Sequence, residues 1–150
     1  MGSIDVTIAC SQSSPEDIVE ALKTIAPLVQ ECHASAEFLI LTGKDDVELP
    51  REIDGFPVRL VSLENVTCGN ALRSALAETR GDWLITLENP TPHDASLVYA
   101  FCRRRNREDL VIASRYVTGG AYTMPRFRGF ISRWLNWMYR KALSLPIKDL

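Results

Sequence analysis

Short apolar runs alternate with longer amphipathic stretches through the first two thirds of the chain. Residues 4–9 (IDVTIA) are a β-branched run, followed by Ser13, Ser14, Pro15, Glu16 and Asp17. That group predicts a helix start, with a serine cap, a proline in the first turn and acids at the positive end of the dipole. Ile18, Leu22, Ile25, Ala26 and Val29 then recur at the spacing of one helical face. Residues 37–41 (EFLIL) predict a second strand, stopped by Thr42 and Gly43, and residues 57–63 (PVRLVSL) a third. A helix over 70–79 carries Leu72, Ala75 and Leu76 on one side. After Gly81-Asp82, residues 83–87 (WLITL) predict a fourth strand. Asp94 caps a further helix to about residue 105, and residues 109–114 (DLVIAS) predict a fifth strand.

Continuously apolar strands separated by helices predict an α/β fold, a mostly parallel sheet with helices on both faces and right-handed crossovers. No linker or repeat interrupts residues 1–150, which read as a single domain. In such sheets ligands bind beyond the carboxyl ends of the strands. The loops of interest are therefore 10–13, 42–46, 64–69, 88–94 and 115–120.

The last forty residues change the picture. Residues 125–145 (PRFRGFISRWLNWMYRKALSL) predict an amphipathic helix with Phe127, Ile131, Trp134, Met138 and Ala142 on its apolar side. Arg126, Arg133 and Arg140 recur every seven residues, a basic stripe that Lys141 extends. Trp134, Trp137 and several cations beside an apolar face suit a helix lying in a membrane interface. An ordinary core helix with a solvated charged side has the same pattern, and the Trp134/Trp137 face would also serve a homodimer.

Composition sharpens this. The 150 residues are 46% hydrophobic and 24% charged, which suits a folded core, and the net charge is only −2. Yet residues 1–100 hold 6 Lys/Arg against 16 Asp/Glu, while residues 101–150 hold 11 against 3. A basic end of this kind points to an anionic partner. The Arg103–Arg105 and Arg107 cluster lacks interleaved aromatics, so nucleic acid is not expected. Cys10, Cys32, Cys68 and Cys102 are dispersed, with no CxxC pair, and read as reduced thiols of a cytoplasmic protein. The N-terminus lacks a basic n-region, and no apolar run approaches the ~18–20 residues of a bilayer span. His33 reads as a surface residue and His93 as a loop histidine. No GxSxG, GxGxxG or Walker loop is present.

Residues 112–149 carry Ser114-Arg115-Tyr116, Gly119-Gly120, Ser132-Arg133, Asn136, Pro146 and Asp149 in order. Upstream stand Asn65, Gly69, Ala71-Leu72-Arg73 and Gly81-Asp82-Trp83. In these features the chain resembles glycosyltransferase family 2, in its dolichol-phosphate mannosyltransferase-like branch. The resemblance implies a GT-A fold, a nucleotide-sugar donor, a divalent metal (Mg²⁺ or Mn²⁺) and a polyprenyl-phosphate acceptor. It implies a location peripheral to the inner face of a membrane, with Arg126, Arg133, Trp134, Trp137 and Arg140 on the acceptor side. Thr42, Gly43, Asp45, Asn65 and Gly69 would line the nucleotide, Glu88 and Asp94 would serve the metal, and Arg115 and Asp149 would act at the phosphates and acceptor.

Three elements depart from the family pattern. Ala9, Cys10, Ser11, Gln12 and Ser13 stand where the family has a Pro-Ala-Tyr-Asn-Glu-like run. Leu41-Thr42 replace a pair of aspartates, with Asp45 and Asp46 slightly later. Glu88-Asn89-Pro90 replace the metal-binding Asp-x-Asp, and Pro90 has no ligand to offer. The chain also ends near where the family continues with a Thr-Ser-Gly-Phe-Arg-like stretch. Two readings follow: a divergent transferase, or a catalytically silent relative that binds a membrane surface or a protein.

Overall fold

The structure, a computed structural model, describes residues 4–11, 13–43, 48–113, 134, 137, 138 and 141. Its contacts divide the chain into two compact units, Met1–Asp109 and Leu110–Leu150.

The first unit is built around a sheet. Strand β1 (Val6–Ser11) leads through helix α1 (Pro15–Glu31) to β2 (Ala36–Thr42). A short hairpin, β3 (Glu52–Ile53) and β4 (Phe56–Ser62), is followed by α2 (Cys68–Glu78) and β5 (Trp83–Glu88). A 3-10 turn (Pro92–Asp94) then opens α3 (Ala95–Arg104). The sheet order is β3-β4-β2-β1-β5, parallel except for the β3–β4 pair.

Each boundary has a local cause. Ser14 Oγ accepts the Asp17 amide at 3.2 Å and caps α1, as the sequence predicts. The helix stops where His33 takes φ 51°, a left-handed residue past the Cys32 cap. Thr67 Oγ1 accepts the Asn70 amide and caps α2, which begins at Cys68, two residues before the predicted start. The hairpin is a finding beyond the periodicity: Asp54 and Gly55 both have positive φ between the paired Ile53 and Phe56. An Asp-Gly pair is the preferred centre of such a two-residue turn.

The four long strands fall within two residues of their expected positions. The fifth expected strand is corrected: residues 109–113 are irregular, and Leu110 and Ile112 are 68% and 47% exposed. A strand is held by its ladder to a neighbour, and no described residue pairs with this run. Ser114 lies outside the described residues.

Alternate strand residues serve different cores. Val6, Ile8, Cys10, Phe38, Ile40, Ile85 and Leu87 pack with Ile18, Leu22, Ile25 and Val29 of α1 and Val98 and Cys102 of α3. Ala9, Leu39 and Leu41 form a smaller cluster with Ala71 and Ala75 of α2. Leu72 and Leu76 of that helix remain 46% and 60% exposed.

Within the sheet sits a charged group. The Glu37 side chain is 1% exposed, its Oε1 accepts Thr7 Oγ1 at 3.0 Å, and its Oε2 lies 3.6 Å from Arg59 Nε. Arg59 also donates to the carbonyl and carboxylate of Glu78 at the end of α2. Thr7 Oγ1 in turn accepts the amides of Arg80 and Gly81, at 3.2 and 3.0 Å. Gly81 runs so close to β1 that a Cβ there would meet Thr7 N at 2.7 Å and Val6 C at 2.8 Å. One network thus joins β1, β2, β4, α2 and the entry to β5.

Removing one partner of a buried ion pair strands the other in a poor solvent, which costs far more than the pair contributes. Arg59→Met is expected to lower stability by about 3 kcal/mol in urea unfolding, and adding Glu37→Leu to recover most of it. A loss for Arg59→Met no larger than that of an ordinary surface substitution would contradict this role.

Candidate functional site

β1 and β4 hand the chain to α1 and α2 at their carboxyl ends, so the N-termini of these helices lie at that edge of the sheet. The chain leaves β1 toward β2 on one side and returns on the other to add β5. The segments that leave β1 and β5 meet at this point, since the turn and helix after β5 pack on α1, and the candidate crevice is the edge between the two strand ends. Ser11, Ser13, Glu88 and Asn89 stand there. The Asn89 amide donates to Ser11 O at 2.9 Å and Ser13 Oγ bonds Asn89 Oδ1 at 3.2 Å. Asn89 has φ 48°, a left-handed conformation that asparagine tolerates better than most residues.

Beside the crevice, a cleft runs between β1, β5 and α2. It is lined by Ser11, Cys68, Thr86 and Glu88 together with Ala9, Leu41, Ala71, Leu72, Ala75 and Leu87. Its volume is ≈ 70 Å³, well below the ~300 Å³ of a typical small-molecule site. A chemical group of a ligand fits it, not a whole nucleotide.

Electrostatics at the cleft mouth centre on Glu88 and Cys68. Glu88 accepts a hydrogen bond from the Cys68 thiol and repels its thiolate, and both effects push that thiol up from its ordinary value. Cys10, sealed in the core and near Asp94, is pushed up to about 12, first by burial and then by that charge. Neither sulfur is an activated nucleophile.

The expected site residues divide into groups. Glu88 lies in the cleft. Thr42, Gly43, Asn65 and Gly69 occupy the same sheet edge but do not line it. The loops after β2 and β4 touch there: Leu63 N donates to Thr42 O at 2.8 Å, and a Cβ on Gly43 would sit 3.3 Å from Val66 Cγ2. Asn65 O accepts the Asn70 side chain. Gly69, the second residue of α2, has open space where a Cβ would be, so the α2 start does not require glycine for clearance.

Asp94 does not join Glu88. Its Oδ2 accepts both the amide and the hydroxyl of Thr91, at 2.8 and 3.0 Å, closing a capping box at the turn before α3. That turn packs on α1, whereas Glu88 faces the α2 cleft. Among the described residues no three His, Cys, Asp or Glu side chains form a metal-binding group. One carboxylate is enough for a divalent ion carried on a ligand's phosphates, and Glu88 is placed to supply it. His93 and His33 are exposed.

Asp45, Arg115, Arg126, Arg133, Arg140 and Asp149 lie outside the described residues. Trp134, Trp137, Met138 and Lys141 are helical, with Trp134 and Trp137 52% and 57% exposed. Lys141 Nζ lies 5.6 Å from the centre of the Trp137 ring, one turn away. Among the described residues no helix is long and apolar enough to cross a membrane.

Cys68 and Ser11 fall in the loops singled out from sequence but carry no motif, so the cleft became visible only with the packing of α2. Compared with known proteins, the chain matches no family model, no curated protein and no solved structure.

If Glu88 holds the Cys68 thiol protonated, Glu88→Gln lowers the thiol's pKa toward its ordinary value and raises the thiolate fraction at pH 8. Iodoacetamide is expected to alkylate Cys68 faster in that variant than in the parent chain, with Cys10 unreactive in both. An unchanged or slower rate would contradict the pairing.

Proposed function

We propose that this chain is a GT-A-like glycosyltransferase domain that binds a nucleotide-sugar and transfers its sugar to a polyprenyl phosphate. The observation that carries this reading is the strand order, which puts β5 beside β1 and brings Ser11 and Glu88 together at the sheet's carboxyl edge. Helix N-termini at that edge favour a diphosphate, because unpaired amides and the dipole both stabilise negative charge. The residue resemblance supplies the donor and acceptor classes.

In this reading Glu88 meets the metal–diphosphate end of the donor, and the loops at Thr42–Gly43, Asp45, Asn65 and Gly69 hold the nucleotide. Mg²⁺ or Mn²⁺, when bound, neutralises charge on the diphosphate as it leaves. An acceptor phosphate oxygen attacks the sugar's anomeric carbon while the bond from that carbon to the diphosphate oxygen breaks. Arg115 clamps phosphate and Asp149 serves the acceptor side. The C-terminal stretch that carries Arg126, Arg133 and Arg140 rests on anionic headgroups at the inner face of a membrane.

A second reading is favoured by Asp94, whose Oδ2 is taken up by Thr91. With one free acid instead of two, the same shell serves as a silent module. Trp134, Trp137 and the basic stripe would then dock it on a membrane surface or on a second copy of the chain.

Calorimetry with uridine and guanosine diphosphate sugars, with and without Mn²⁺ or Mg²⁺, separates the two. The transferase reading expects metal-dependent binding that Glu88→Gln weakens by about tenfold, the loss of one charged contact. No binding of any such donor overturns it. Salt-sensitive co-sedimentation with anionic vesicles in that case decides for the module.

A further inference from the structure

Two of the four cysteines come together at the end of a helix pair. Cys32 is the C-cap residue of α1, and Cys102 lies in the last turn of α3. Cys102 is fully buried in the main core, and Cys32 is a partly buried neighbour packed against that core. Cys32 Sγ reaches Tyr99 O, one turn before Cys102, at 3.8 Å. A single guanidinium ties the two backbones: Arg105 donates to Cys102 O at 2.7 Å and to Cys32 O at 3.5 Å. The two thiols are close enough for each to shift the titration of the other. The Sγ–carbonyl contact and the shared guanidinium therefore hold this pair in register.

We propose that Cys32 and Cys102 are a reversible dithiol that closes to a disulfide when the chain meets an oxidised low-molecular-weight disulfide of the glutathione class. Cys32 is the entry point because it is the more exposed of the two. Burial, with Glu31, pushes its thiol up from the ordinary value, and Arg105 and Arg103 nearby work against that rise. Cys102, pushed up to about 11 chiefly by burial, is the resolving thiol. The Cys32 thiolate attacks one sulfur of the small disulfide, its S–S bond breaks, and one small thiol leaves. The Cys102 thiolate then displaces the second small thiol and the protein S–S bond forms. Two electrons pass to the small disulfide, and the two protons lost by the cysteines end on the two small thiols.

The staple joins the C-terminal ends of α1 and α3 and closes a loop of about seventy residues that contains β2, β4, α2 and β5. Such a loop restricts the unfolded chain strongly. The device is independent of the transferase reading, since neither thiol lines the cleft or the crevice.

Tryptic cleavage reports it directly, because each cysteine falls in its own peptide: 1–23, 24–44, 60–73 and 81–103. The folded 150-residue chain is equilibrated with reduced and oxidised glutathione, quenched with alkylating agent, digested and mapped. The proposal expects peptides 24–44 and 81–103 to be linked and two thiols lost. It also expects a melting temperature raised on the order of 5–10 °C, reversed by dithiothreitol. Cys68→Ser is expected to keep the link and Cys32→Ser to abolish it. Because Cys102 is fully buried and its substitution can unfold the chain, Cys32→Ser and Cys68→Ser carry the test. Glutathione accumulating on Cys68 with the other peptides unlinked, a link through peptide 60–73, or a link formed only in denaturant would each overturn it.

Discussion

A carboxylate in the middle of a sheet has to be answered by its neighbours, and Glu37 is answered from two strands directly and through Thr7 from a third element. Thr7 binds one oxygen from β1, Arg59 faces the other from β4, and the amides of Arg80 and Gly81 close on Thr7 from the turn before β5. Shifting any of these strands by one residue would turn its side chains to the other face. Glu37 would then be left without partners in a medium that tolerates bare charge poorly. The register of β1, β2 and β4 and the approach of β5 to β1 are thus set by one buried group. The close passage of Gly81 over the β1 backbone follows from the same constraint.

That constraint reaches the candidate site at the opposite end of the strands. Fixing β5 beside β1 places Glu88 next to Ser11 in register and puts Asn89 in position to continue the pairing through Ser11 O. The crevice is therefore a product of strand order, and its chemistry is decided by what stands on each side. On the α2 side Glu88 meets Cys68. On the α1 side Asp94 is absorbed by Thr91 in starting α3. Helix capping and ligand binding compete for the same carboxylate, and in this chain capping takes Asp94.

The elements with strong periodic signals were legible from the residues: four parallel strands, the Ser14 cap and the apolar face of α1. A run such as 109–113 shows why apolarity alone misleads, because a β-branched stretch needs a partner strand before it is a strand. The β3–β4 hairpin had a written signal, Asp54-Gly55, that strand periodicity passes over since β3 has only two residues. Glu37 and Arg59 also left a trace as lone charges inside EFLIL and PVRLVSL, but nothing local says that they face each other across two strands. Gly69 has free space where a Cβ would be, while Gly81, just before β5, is pressed against the β1 backbone. Site chemistry was less legible than fold because it depends on what each carboxylate packs against, Cys68 for Glu88 and Thr91 for Asp94.

The central claim, that the crevice between β1 and β5 receives the diphosphate end of a nucleotide-sugar, is tested most directly by amide chemical-shift mapping of the ¹⁵N-labelled chain. Titration with uridine or guanosine diphosphate in the presence of Mg²⁺ is expected to move the amides of Ser11, Ser13, Gly43, Asn65, Glu88 and Asn89. Residues around Glu37 at the other end of the strands are expected to stay still. Saturating nucleotide that leaves those six amides unmoved, or shifts concentrated at the Cys32–Cys102 end, would contradict it.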